Sequence, residues 1–182
     1  MVTDVIINPG TATTVVTLAK AKKHLRVDAD FTDEDDLIQD YIDGGVVNAE
    51  NYIGGHIVDK EMIFKLNQFD SPFIFEAFPL KEVTSVKYFD EANDLQTLAT
   101  DKYKLTRQNS KVNQLRFIGD LPAIYDRLDA VEISVSVGME TIDKPIQQAV
   151  LLMVADMYER REDRGETLST QAMSLLRPYK KF

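Results

Sequence analysis

The chain has 182 residues, 44 % of them hydrophobic and 28 % charged, an ordinary globular balance that excludes a fibrous or fully disordered protein. It has no cysteine, so disulfides, a thiolate nucleophile and cysteine-held zinc or iron–sulfur centres are excluded. Twenty-one basic against thirty acidic side chains leave a net charge of −9, which repels bare DNA and anionic lipid unless the cations are segregated.

They are partly segregated: residues 1–56 carry −6, residues 57–142 carry −4 and residues 143–182 carry +1. The longest apolar run on a helical pattern, Ala149 to Ala155, is far short of the roughly 20 residues that span a bilayer. Met1 to Gly10 has neither the basic start nor the apolar stretch of a secretion signal. A soluble, unexported protein with no membrane partner is expected.

Residues 1–16 mix Val, Ile and Thr with Pro9 and Gly10, which suits an extended N-terminal arm. Thr17 reads as the N-cap of a short helix over 18–26, with Leu18, Ala21 and Leu25 on one face and Lys20, Lys22, Lys23 and Arg26 between them. A second helix is expected over 33–53. Thr32 and Asp35 form a capping-box pattern, acids crowd the first turn, and Gly54-Gly55 stops it. Within it, Gly44-Gly45 points to close approach of another helix, because glycine otherwise weakens a helix by about 1 kcal/mol against alanine.

From Ile57 to Gly138 the apolar period changes from 3.6 to 2. Met62, Phe64 and Leu66 alternate, Val83 to Phe89 is β-branched and aromatic, and Tyr103 to Arg107 and Val112 to Phe117 flank Asn109-Ser110. Val131, Ile133, Val135 and Val137 alternate with polar residues. This predicts an antiparallel β module of five or six strands over 57–142. A helix returns over 144–163, with Asp143 as cap and Pro145 early in the first turn. It is apolar nearly all round, since Leu151, Leu152 and Ala155 lie outside the face traced by Ile146, Ala149, Val150, Met153 and Val154; that predicts burial on more than one side. A last helix over 167–176 precedes a tail at 177–182. The fold class is α+β: an antiparallel helical core from 17–56 and 143–176, its helices packed together, with an inserted antiparallel β module over 57–142.

The residue inventory gives catalysis little to work with. Only His24 and His56 are present, neither in a metal-binding or triad context. The acids Asp28, Asp30 and Asp33 to Asp36 fail as a calcium loop, because Asp33 stands where glycine is needed and Gln39 where the bidentate acid should be. Gly44-Gly45 and Gly54-Gly55 lack the flanks of a phosphate loop. No catalytic, cofactor-binding or metal residue is assigned, and no cofactor is expected. Phe73, Phe75 and Phe78 beside Pro72 and Pro79 read as core strand or as a partner-facing patch.

Several stretches, taken in order, resemble the head–tail connector, or adaptor, family of long-tailed double-stranded DNA phages. The first runs Thr17-Leu18-Ala19-Lys20-Ala21-Lys22-Lys23-His24-Leu25-Arg26-Val27-Asp28, followed by Asp33-Glu34-Asp35-Asp36-Leu37-Ile38 and Glu50-Asn51-Tyr52-Ile53-Gly54. Phe78-Pro79-Leu80 before Val83 to Tyr88 comes next, then Pro145 to Leu152, Tyr158-Glu159-Arg160-Arg161-Glu162 and Leu175-Leu176-Arg177-Pro178-Tyr179. Gly44-Gly45 and Met157 depart from the pattern, where small helix formers and an aromatic residue are usual.

The resemblance implies a non-enzymatic virion protein of the larger type with a β insertion. Its copies would form a homo-oligomeric ring, usually twelvefold, beneath the portal protein. The next neck or tail completion protein would bind the other side, and DNA would pass through the lumen without specific binding. It further implies assembly in the host cytoplasm and a final place in the virion neck. Arg177, Pro178, Tyr179, Lys180, Lys181 and Phe182 are the expected portal contact, and Leu151, Leu152 and Ala155 the expected contact between subunits. The rival readings are a nucleic-acid-associated module, which would bind DNA in a salt-sensitive way, and an enzyme with a carboxylate site.

Overall fold

The computed structural model describes residues 1–9, 14–76, 78–108, 112–160 and 170–180. The chain divides into two compact units, residues 1–12 with 58–139, and residues 13–57 with 140–182.

The first unit is built of β-strands, with one 3₁₀ turn at Thr100–Lys102 among the described residues. Its larger sheet has the order β1-β2-β8-β4-β5, made of Val2–Pro9, Lys60–Leu66, Val131–Val137, Leu80–Phe89 and Leu95–Thr97. Its smaller sheet has the order β3-β7-β6, made of Phe73–Phe75, Val112–Phe117 and Tyr103–Gln108. All pairings are antiparallel. The period-2 pattern selects the buried face. Met62, Phe64 and Leu66 on β2 and Val131, Ile133, Val135 and Val137 on β8 are buried, while the residues between them are not.

The two sheets share one core, in which Phe64 of the larger sheet meets Phe73 and Phe75 of the smaller edge-on, with centroids 5.6 and 5.5 Å apart. Phe73 and Phe75 therefore belong to the core, as the blander sequence reading had it. The expected count of five or six strands was too low, because β3 and β5 have only three residues each and show little alternation to read. The extended N-terminal arm is also not separate: its residues 2–9 form the edge strand β1, paired along its length with β2.

Among the described residues the second unit contains four helices, α1 Leu18–Leu25, α2 Asp35–Ile53, α3 Lys144–Glu159 and α4 Thr170–Leu176, followed by a 3₁₀ turn at Arg177–Tyr179. Thr17 caps α1 as expected, its hydroxyl accepting from the Lys20 amide at 3.3 Å. Arg26 leaves the helix in the left-handed region at φ 60°, so α1 ends one residue before the expected bound. α2 starts at Asp35 without the capping box, since its cap residue is Glu34 and no side chain caps it. The Asp35 carboxylate that the pattern assigned to capping is drawn off by Lys22. Gly54 closes α2 with φ 69°, a conformation glycine adopts without strain.

The α3 helix stops at Glu159 and not at 163, because Arg160 already has non-helical angles, φ −117° and ψ 63°. Residues 161–169 lie outside the described part, and with them the start expected for the last helix.

Candidate assembly surfaces

In the second unit a buried cation ties α1 to the start of α2. Lys22 is 4 % exposed, and its ammonium donates to the carbonyls of Ala29 (2.9 Å) and Phe31 (2.6 Å) and to the Asp35 carboxylate (2.8 Å). Three acceptors meet the three donors of an ammonium group, so the loop between α1 and α2 is pinned to both helices. Replacing Lys22 with Met keeps the stem but strands two carbonyls and a carboxylate. It should destabilise this unit by about 2 kcal/mol, measurable by urea unfolding.

At the other end of α2, buried Glu50 accepts from the Ile57 amide at 2.8 Å, which fixes the exit of the chain from the helix. Between the helices, a Cβ on Gly45 would meet Val150 Cγ1 at 3.4 Å; this is the close helix approach that the glycine pair foretold. Gly44 faces looser space, with Met157 Sδ at 3.9 Å.

The residues expected at the subunit contact do not share one environment. Leu151 is buried, 4 % exposed, so it is core and not an outer residue. Leu152 and Ala155 are partly exposed and remain open to a partner. The expected portal contact is split in a similar way. Arg177 and Pro178 are exposed, Tyr179 and Lys180 are partly buried, and Lys181 and Phe182 lie outside the described residues.

The tail does not begin as a loose segment, because Tyr179 donates its hydroxyl proton to Asp143 at 2.9 Å and the Lys180 ammonium stands 5.2 Å from the Tyr52 ring centre. Asp143 makes no side-chain cap to α3; its carboxylate serves this latch instead. Burial first, then the bond to Asp143, raises the Tyr179 phenol above its ordinary 10.0. A raised pKa favours the protonated form in the fold, so the latch contributes fully below pH 10 and is lost as pH rises through the raised value. Burial raises Tyr103 as well, so alkaline ultraviolet titration should show late tyrosines of which Tyr179→Phe removes one.

In the β unit, charge pairs brace loops. The Arg127 guanidinium makes a two-pronged contact with Asp129, at 2.6 and 2.9 Å, and lies 3.7 Å from the Phe89 ring centre. Its hydrogen bonds hold the Asp129 carboxyl below the usual 3.8. No group of three or more acids and histidines among the described residues is placed to hold a metal ion. No described helix is long and apolar enough to cross a membrane.

These features define a class: an α+β protein whose polar networks brace its own loops and whose unused surfaces are apolar strips and charged faces. Residues 15–76 match the family model described as the phage gp6-like head-tail connector protein. The match, confined to those residues, bears out the resemblance carried by the sequence motifs. Its whole fold is also similar to chains in solved structures of gene transfer agent (GTA) particles. One, from the neck of an empty GTA particle computed with C6 symmetry, is 20 % identical, with TM-score 0.78 over 97 % of this chain and 96 % of that one. A second, from the virion of a native GTA particle, is 21 % identical with TM-score 0.75 over the same shares. A third, from the neck of a native particle computed with C12 symmetry, is 19 % identical with TM-score 0.72, again over 97 % and 96 %. Comparison with curated proteins finds no match.

Proposed function

We propose that the chain is a structural component of a virion neck, in which identical copies close a ring between the portal and the next neck or tail protein. The carrying observation is the head-tail connector match over residues 15–76. The likeness to chains from particle necks computed with C6 and C12 symmetry supports a ring.

Within this reading, Leu152 and Ala155 on α3 contribute to contacts between copies, and the exposed Arg177 and Pro178, with Lys181 and Phe182, present the portal contact. Arg suits such a contact because its guanidinium joins flat apolar surface to hydrogen-bonding groups, and the basic end is steered toward an acidic partner. The α2 helix has no basic residue, and Asp36, Asp40 and Asp43 are exposed along it; a lumen lined with such charge lets DNA slide without sticking. The protein has no catalytic role in this reading. It assembles in the host cytoplasm and ends in the virion neck.

Because Tyr179 is latched to Asp143, deleting the whole tail would disturb the helical unit as well as any contact. The cleaner test is Arg177→Glu combined with removal of 181–182, followed by capture on the cognate portal ring. Capture weakened about tenfold at unchanged melting temperature is expected; unchanged capture would refute the docking role.

A further inference from the structure

The two sheets of the β unit have four edges, and they are not alike. β5 and β3, at one edge of each sheet, have three residues each, a length that blunts an edge against pairing with another chain. The other two are long: β1 with eight residues and β6 with six. Among the described residues neither makes a backbone hydrogen bond beyond its ladder with β2 or β7.

β1 is guarded only at its ends, by a bulge between Val2 and Asp4 and by Pro9. Its one charged residue is Asp4, and Val2, Val5, Ile6 and Ile7 are 41, 40, 36 and 52 % exposed. The Val5 amide donates to the Asp4 carboxylate at 2.8 Å, which places that N–H on the side away from β2. By the antiparallel alternation the Ile7 N–H also points outward, and Pro9, with no N–H to offer, takes the next outward position. Val5 and Ile7 stand opposite Phe64 and Met62, so their side chains continue the core face of β2 into solvent. An occupant of this edge must bring extended backbone, apolar side chains on the core face and positive charge near Asp4.

β6 meets all three needs. Tyr103 and Leu105 stand opposite Phe117 and Leu115, on the core face of its own sheet. The strand has no acid, and its Lys104, on the opposite face, is exposed. Within one copy β1 and β6 lie in different sheets and do not pair. We infer that β1 of one copy adds to the free edge of β6 in the next copy, joining the five-stranded sheet of one subunit to the three-stranded sheet of its neighbour. This inference rests on the ring reading. A contact between two different surfaces, repeated in every copy, is the kind that closes a ring, and here it removes both long edges at once.

The test uses full-length chain, alone and with the portal ring, with assembly followed by native mass spectrometry at rising concentration. Ile7→Pro deletes an outward N–H and leaves the β2 ladder intact. Assembly should weaken by about tenfold or more while the circular dichroism spectrum and melting temperature stay as in the wild type. Asp4→Lys and Lys104→Glu should each weaken assembly by about two- to fivefold per contact. Mixed one to one they should restore it, because alternating copies then present opposite charges at every contact. If the wild type forms rings and all three variants do so equally well, this pairing is wrong and the ring reading stands. If Ile7→Pro assembles normally but no longer captures the next neck protein, the edge serves a different partner and the pairing is overturned. A wild type that stays monomeric at every concentration, and on the portal as well, overturns both.

Discussion

Leu151→Asp should unfold the helical unit, whereas Leu152→Asp should leave it folded and stop assembly. The two residues are neighbours on α3, yet Leu151 is 4 % exposed and Leu152 partly open. A carboxylate at 151 must either be buried unpaired or be protonated, and the site also loses a packed leucine. A loss of about 3 kcal/mol or more is expected. At 152 the new charge can stay hydrated in the isolated chain and becomes costly only when a second subunit covers it. Chemical unfolding and native mass spectrometry on the same two variants separate the effects. A Leu152→Asp chain that both folds and assembles would show that this side of α3 is ordinary surface.

Gly138→Ala should be the most damaging single methyl in the β unit. Gly138 has φ +129°, and a Cβ there would lie 2.6 Å from the Asp59 carboxylate, 2.8 Å from the Val58 carbonyl and 3.0 Å from the Asp59 Cα. Two of those three neighbours are backbone, which cannot swing aside, and Asp59 also holds Lys81. Strain and displacement together should destabilise the unit by about 2–4 kcal/mol. Gly119→Ala is the control: φ is +69° there but the nearest atom is the flexible end of Lys102 at 3.9 Å, so only about 1–2 kcal/mol of backbone strain is expected. Equal losses at the two positions would mean that crowding at Gly138 contributes nothing.

What the sequence made legible follows from how each element is stabilised. Strands buried on one face, such as β2 and β8, announce themselves by alternation, and α3 by apolar residues around its circumference. Gly45 and Gly54 spoke through the absence of a side chain, one for a close helix contact and one for a left-handed cap. The short strands β3 and β5 are held by pairing and core packing, not by local pattern, and three residues hold too little periodicity to read. The capping box failed because a distant residue, Lys22, competes for Asp35, a tertiary effect invisible in local spacing.

Of the expected interface residues, sequence could count Leu151 among an apolar surplus but could not tell it from Leu152; only packing assigns one to the core. The edge character of β1 was hidden as well. Its composition reads as extended chain, but that it is paired on one side alone depends on where it joins a sheet whose other strands lie more than fifty residues away.

The central claim, a structural ring in a virion neck, is most directly tested by the copy number of the chain in purified particles, measured by quantitative mass spectrometry against the portal protein. The account predicts about twelve copies per particle, one ring at a single neck, in line with the C12 symmetry of a similar neck structure. Absence from particles, or a copy number in the hundreds that places the chain along a shell or tail tube, would contradict it.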